Sequence, residues 1–389
     1  MPKIGLALSG GGSRAIAFHL GCLRALHKSG VLNRVTVLSS VSGGSVIAAL
    51  YAFHDEPFEE FEKRVISLLK RGLLSGIARQ TLFSLETPKI VAALLLSGSF
   101  ATIGGAIRLI GMGLSQIGIG GLVPLAARRW LQAPVPRFAS RSTAFERHLR
   151  KRVFENVTIA DVARPGLDIE INAAELTTGT AFRFGSKKSG AWRFGALTGE
   201  VPLVSKAVAA SACYPAALPS FDQTLTFEKK GVTKKHRVLL TDGGIYDNLG
   251  ITCLLPGRSA EHSIAVHDVE FIIACDAGQG MPSGKDNSYL WADRMIATVN
   301  TIHRRTHSLS YELLHRMRET GQIKGFLLPY LGQIDEKLPS MPHDLVRRGQ
   351  TFDYPTNFSA MKEDDIVRLS TRGEQLTKLL IDYYGVPKS

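Results

Sequence analysis

Twice within the first fifty residues a short apolar strand runs into small residues and then into a helix, and that order restricts the fold more than any bulk property. Residues 3–8 read as a strand, Gly10, Gly11 and Gly12 as a turn, and 14–29 as a helix stopped by Gly30. A second strand over 34–39 enters a Ser/Gly turn around Ser42, and an apolar helix starts near Ser45. Strands that alternate with helices imply an α/β fold, with a mainly parallel central sheet covered by helices on both faces. Further strands are expected within 167–176, 236–241 and 270–278, and a mainly helical C-terminal part over 281–389.

At 389 residues and 44% hydrophobic, the chain can bury a sizeable core, and we take 1–389 as one domain. Cys22, Cys213, Cys253 and Cys275 are widely spaced, without the rhythm of a disulfide framework or a zinc site, and read as reduced buried thiols. The opening "MPKIGLALSG" holds too short an apolar run for a secretory signal, so the expectation is a cytoplasmic protein, peripheral to a membrane. A formal net charge of +13 favours an anionic partner.

An insert over 86–135 interrupts the strand-helix rhythm. From Ile90 to Ala127 it is apolar and glycine-rich, with Arg108 its only charge. It reads as a buried lid, an interfacial membrane-docking element, or a spanning hairpin, the last weakened by its glycines and Pro124. Arg128, Arg129, Arg137, Arg141, Arg147, Arg150, Lys151 and Arg152 then stand against the single acid Glu146, an apolar-then-basic order suited to an anionic membrane surface. A solvated charged face would look the same at any one of these positions. Trp130, Phe138 and Phe145 are too sparse among the bases for nucleic-acid binding, which is not expected, and no partner protein is inferred.

Three stretches carry chemistry. In "LALSGGGSRA" (6–15) the three glycines can present backbone N–H groups, backed by a helix dipole, to an anion, while Arg14 places a cation where the dipole is already positive. A dinucleotide fingerprint would need glycine at Ala15 and an acid within 31–38, and a P-loop would need a Lys-Ser/Thr pair; none is present. An oxyanion formed during a reaction is the third tenant. In "LSSVSGGSVIAAL" (38–50) Ser42 stands at a strand-to-helix turn with small Ser40 two before it and Gly44 two after, as a nucleophile elbow demands; Ser40 and Ser45 fit that role worse. In "LLTDGGIYDNLG" (239–250) Asp242 ends a strand ahead of Gly243 and Gly244, with Asp247 as the rival carboxylate. Serine-glycine and aspartate-glycine turns are common without any chemistry. An anion nest, an elbow serine and a strand-end carboxylate together make a set for acyl transfer.

Strand-GGGxRA, then SVSGG, then DGG resembles the patatin-like phospholipases, and the likeness extends to "INAAELTTGTAFRF" (171–184), "ASACYPAALPS" (210–220) and, more loosely, "TNFSAMKEDDIVRL" (356–369). The resemblance implies a three-layer α/β fold and a lipid acyl hydrolase that works with a Ser-Asp dyad, without histidine, metal or cofactor. Ser42 is then the nucleophile and Asp242 its base. Gly10, Gly11, Gly12 and Arg14 form the oxyanion region, the amides of Gly11 and Gly12 as its donors and Arg14 either supporting the loop or meeting a lipid phosphate, and Gly43, Gly44, Gly243 and Gly244 support the turns. Two positions depart from the family pattern, Ala15 for the glycine after the arginine and Ser40 for the first glycine of G-x-S-x-G. Both replacements are small. They also motivate the alternative of a catalytically silent lipid-binding module with the same fold.

Other residues read as structural. His303 and His307 share a helix face but lack the intervening glutamate and third ligand of a metal site; His19 lies on a packing stripe with Ile16, Leu20 and Leu23. Residues 291–307 form an amphipathic helix suited to covering the sheet, and Gly21 within the first helix suggests close approach to that sheet.

Overall fold

In the computed structural model residues 2–116, 136–215, 217–280 and 290–387 are described. Their sheet holds β1 (Ile4–Leu8), β2 (Val35–Val41), β3 (Asp168–Glu175), β4 (Thr180–Gly185), β5 (Gly190–Ala191), β6 (Gly195–Leu197), β7 (Phe221–Lys229), β8 (Val232–Asp242), β9 (Phe271–Cys275) and β10 (Gly325–Leu327). The central part runs β10-β9-β1-β2-β3 with every neighbouring pair parallel. Strands β4 to β8 extend it in antiparallel pairs, and of these the sequence pattern pointed only to β8.

One register feature positions everything that follows. β4 pairs with β3 from Glu170 to Glu175, so β2 and β8 must both use the opposite edge of β3. β2 occupies that edge up to Val41 opposite Asn172, and β8, running the other way, occupies it from Leu240 opposite Glu175 down to Asp242 opposite Ala173. The C-terminal ends of β2 and β8 therefore meet head to head on adjacent rungs.

Helices cover both faces because alternate strand residues point to opposite sides. Leu6 and Leu8 join the larger core cluster with α1 (Gly12–Lys28), α2 (Gly43–Ala52) and α3 (Phe58–Arg71), whereas Ala7 joins a second cluster with Leu249, Leu254, Leu314 and Met317. The first helix begins at Gly12 and the second at Gly43, each two residues earlier than the sequence pattern suggested. The closest approach at Gly21 is to a helix rather than the sheet: a Cβ there would stand 1.7 Å from the Ser370 carbonyl oxygen of the C-terminal helix Glu363–Tyr384. Gly373 of that helix reciprocates, since a Cβ on it would lie 2.2 Å from Phe18 O.

In helix Trp291–Glu319 Leu314 and Met317 of the C-terminal half are buried, while Trp291 and Ile302 are exposed. Between it and the C-terminal helix the chain is irregular apart from β10 and two short helical turns, so the helical expectation fails over 320–362. After α4 (Leu74–Leu82), the insert opens as one long helix, α5 (Glu86–Gln116). Its first turns are docked by Ile90 and Ala93 against Ala139 and Ala144, and by an ion pair of 2.6 Å from Arg147 to Glu86. Beyond that it is largely exposed, with only 17% of its most apolar stretch buried. Residues 117–135, including Arg128 and Arg129, lie outside the described residues.

Candidate active site

The glycine loop that follows β1 adopts backbone angles closed to other residues, with φ of +145° at Gly11 and +60° at Gly12. It is also crowded: a Cβ on Gly12 would lie 2.2 Å from Asn357 O, and one on Gly10 2.2 Å from Asn248 Oδ1 and 3.2 Å from Ser42 Cβ. Gly10 N–H donates to Asn248 O at 3.0 Å and Ser13 N–H to Asn357 O at 2.7 Å. The N–H groups of Gly11 and Gly12 have no acceptor among the described residues, and they stand at the positive end of α1. Of the residues expected at the oxyanion position, Gly10 thus supports the turn, while Gly11 and Gly12 retain donors for an anion.

Arg14 answers the charge puzzle of the loop in a different way from an anion ligand. It is buried, its Nε donates to Ala277 O at 2.9 Å, and its Nη1 donates to Tyr354 O at 2.8 Å and Thr356 Oγ1 at 2.7 Å. Burial lowers its pKa to about 10 against the opposing attraction of Asp276. These bonds clamp the first turn of α1 to the end of β9 and to the 354–357 loop.

Ser42 has φ 52° and ψ −120°, a positive φ shared among described non-glycine residues only by Glu155 and Lys230. Holding a serine there costs about 1–3 kcal/mol, and the surroundings show what enforces it. A Cβ on Gly43 would meet Gly12 O at 2.3 Å and one on Gly44 would meet Leu8 O at 2.3 Å, so the turn is pressed against β1 and its loop. Ser42 N–H donates to Ser211 Oγ at 2.9 Å; that hydroxyl donates in turn to Asn172 O at 2.6 Å and accepts from Ser45 Oγ at 2.9 Å. The rival serines are thus engaged: Ser45 braces Ser211, and Ser40 is fully buried in β2.

Asp242 ends β8 beside this turn. Its N–H donates to Cys213 O at 3.1 Å, Gly243 N–H donates to Ser211 O at 3.1 Å, and Gly244 N–H donates to Asp242 Oδ1 at 2.7 Å. A Cβ on Gly243 would lie 2.2 Å from Asn172 O, and one on Gly244 2.9 Å from Asp242 Oδ1, so both glycines are steric requirements. Burial pushes the Asp242 carboxyl up to about 6, opposed by the neighbouring Ser42 hydroxyl and by the Gly244 N–H that donates to it. Asp247 is committed elsewhere, accepting from Gly250 N–H at 3.0 Å and Thr252 N–H at 2.8 Å.

Sequence reasoning singled out none of Ser211, Asn172 and Asn248. Each lay inside a quoted stretch, but a serine or asparagine that braces another loop through one hydrogen bond has no spacing to reveal it. Among the described residues no three His, Cys, Asp or Glu side chains cluster as metal ligands. His19 is buried with Nε2 3.0 Å from Ser9 O, and His307 lies 3.4 Å from Asp276 Oδ2; the side chain of His303 is outside the described residues.

The comparisons with known proteins agree on the fold. Human GIVD cytosolic phospholipase A2 superposes with a TM-score of 0.54 at 14% identity, covering 98% of this chain and 59% of that one. The same human protein in complex with methyl gamma-linolenyl fluorophosphonate and terbium chloride gives 0.50 at 13% identity, covering 98% and 58%. This chain therefore spans rather more than half the length of those structures. No curated protein sequence matches it. The sequence profile described as patatin-like phospholipase matches residues 6–255, from β1 through the Asp242 loop. With well over half of its length matched and all three motif loops inside the match, the chain belongs to the patatin-like phospholipase family.

Proposed function

We propose that the protein is a serine lipid acyl hydrolase that cleaves carboxylic esters of phospholipids or other lipids through an acyl-Ser42 intermediate. The observation that carries the reading is Ser42, held at positive φ beside a buried Asp242 carboxyl that burial raises to about 6 against the opposing influence of the Ser42 hydroxyl. An ordinary carboxylate near 3.9 is a weak base for an alcohol; desolvation raises its proton affinity where the reaction needs it. Ser42 Oγ attacks the ester carbonyl carbon as its proton passes to Asp242, and the oxyanion is met by the N–H groups of Gly11 and Gly12. Collapse breaks the bond to the leaving alcohol, which takes the proton from Asp242. Water then attacks the acyl-serine, giving its proton to Asp242, and the fatty acid departs as Ser42 recovers its hydrogen.

The same reading assigns the exposed apolar length of α5 to a lipid surface. Leu95 and Leu109 are 68% and 67% exposed, and the helix is long and apolar enough to cross a bilayer. The basic side chains that follow, including Arg137, Arg141 and Arg150, suit an anionic leaflet, at a location that is cytoplasmic and peripheral to the membrane.

Hydrolysis of a short p-nitrophenyl ester and of a phospholipid by wild type, Ser42→Ala and Asp242→Asn tests the proposal. Both variants are expected to lose activity by roughly 10³-fold or more, and equal rates in all three would end it. A fluorophosphonate that leaves Ser42 unlabelled would favour the silent lipid-binding module instead.

A further inference from the structure

Two guanidinium groups converge on one threonine in a cleft built from β4 and the loop after Gly250. Arg183, only 4% exposed, donates from Nη2 to Thr252 Oγ1 at 3.0 Å and from Nη1 to Asn172 Oδ1. Arg258 donates from Nη1 to Thr252 O and from Nε to Ser263 Oγ at 3.2 Å. Neither has a carboxylate within ion-pair distance among the described residues. Of the acids in this part of the fold, both oxygens of Asp247 accept backbone N–H groups, Glu170 lies with Oε1 3.0 Å from His267 Nε2, and Glu261 pairs with Lys230 at 3.5 Å. Burial, then the charge of Arg183, push Arg258 below its ordinary range, and Asp247 offsets this only weakly.

A buried Arg183 beside a half-buried Arg258, neither in an ion pair with a carboxylate among the described residues, is a costly arrangement of like charge. The cost is relieved by an anion that accepts from both. Space for a small one exists: a cleft of about 40 Å³, open to solvent, lined by Arg183, Arg258, Trp192, Tyr246, His262 and Ser263. Lys229 and Arg193 lie against the Trp192 ring at 5.4 Å and 4.4 Å and add positive charge at the rim.

We infer that this cleft is a binding site, distinct from the Ser42–Asp242 pair, for a phosphoryl group held between Arg183 and Arg258. A phosphate monoester offers three terminal oxygens, enough for two guanidinium forks and a neighbouring hydroxyl, where a carboxylate offers two. A cavity of about 40 Å³ admits a small group such as the phosphoryl itself and not an acyl chain. Through Arg183 the site touches Asn172, whose carbonyl accepts from Ser211 beneath the elbow, so an anion here would stiffen the bracing of Ser42.

The test uses the full chain carrying Ser42→Ala, so that no turnover intervenes and the outcome is independent of the hydrolase reading. Isothermal titration at low ionic strength with inorganic phosphate and with glycerol 3-phosphate is expected to show saturable binding. Arg258→Gln should weaken it at least tenfold while keeping the circular dichroism of the parent. Vesicles of phosphatidylcholine with and without phosphatidic acid separate the sources: selective binding to the latter, with a matching loss in Arg258→Gln, identifies a lipid headgroup, and saturation by inorganic phosphate alone a free anion. Should Arg258→Gln fail to fold, hydrogen exchange of the parent with phosphate must show protection in 181–192 and 246–263. Absence of saturable binding at millimolar phosphate, unchanged affinity in a folded Arg258→Gln, or protection confined to other segments overturns the inference.

Discussion

Neutralising Asp242 should remove activity and yet stabilise the fold, by an amount that depends on pH. Burial holds the carboxyl at about 6 in the folded state against 3.8 ordinarily. At about 1.4 kcal/mol per tenfold change in proton affinity, ionised Asp242 costs the folded protein about 3 kcal/mol near pH 8. Because the folded pKa is the higher one, the stabilising contribution of the protonated group is fully present below about pH 4 and lost as pH rises through about 6. The amide side chain of the Asp242→Asn variant carries no such cost, and it can still accept from Gly244 N–H and donate to Ser42 Oγ. The advantage of Asp242→Asn should thus be about 3 kcal/mol at pH 8, about 1.5 kcal/mol at pH 5 and under about 1 kcal/mol at pH 4. With an unfolding entropy of roughly 2.1 cal/mol/K per residue over 389 residues, the shift in Tm is about 3–4 °C at pH 8 and about half that at pH 5. Differential scanning calorimetry of both proteins across this range measures it directly. In parallel, wild-type kcat/KM should rise with pH and level off above about 6 as the base ionises. A variant no more stable than wild type at pH 8, or one whose advantage does not change with pH, would refute the claim that a desolvated carboxyl sits at this position.

Other outcomes follow from the packing. Ser211→Ala leaves the buried Ser42 N–H without its acceptor, and should lower kcat about 10- to 100-fold through misplacement of the nucleophile, with KM for a short ester nearly unchanged; an unaltered kcat would mean the bond does not position the elbow. Gly21→Ala drives a methyl onto the Ser370 carbonyl, where its carbon would stand 1.7 Å from the oxygen, and should destabilise by about 3 kcal/mol or more, read as a lower urea midpoint at constant m. Replacing Leu95 and Leu109 of α5 by serine should weaken co-sedimentation with anionic vesicles about 30-fold while turnover of a soluble ester persists; binding that survives would move the docking surface elsewhere.

Much of the architecture was legible before any coordinates because it is written locally. Strand-glycine-helix order, apolar runs of strand length and the small residues around Ser42 and Asp242 are short-range constraints, and each turned up within a few residues of its expected place. Strands β5 and β6 escaped notice because segments of two and three residues have no periodicity, and β7 because its exposed polar residues blur the alternation. The α5 insert shows the converse: its composition allowed burial, docking or spanning, and only the tertiary structure showed that little of the described helix's most apolar stretch is buried.

The sequence by itself determined which residue types sit at which turns, since nearest-neighbour sterics demand glycine at Gly11 and Gly12 and small residues beside Ser42. Only the tertiary structure decided that these turns share one place. Val41 and Asp242 lie about two hundred positions apart in the chain, yet on adjacent rungs of β3, a meeting set by backbone pairing that no local pattern encodes. The packing of Arg14 belongs to the same level: its chain neighbours left loop support and an anion contact both open, and carbonyl groups from residues 277 and 354, far away in sequence, accept from its guanidinium.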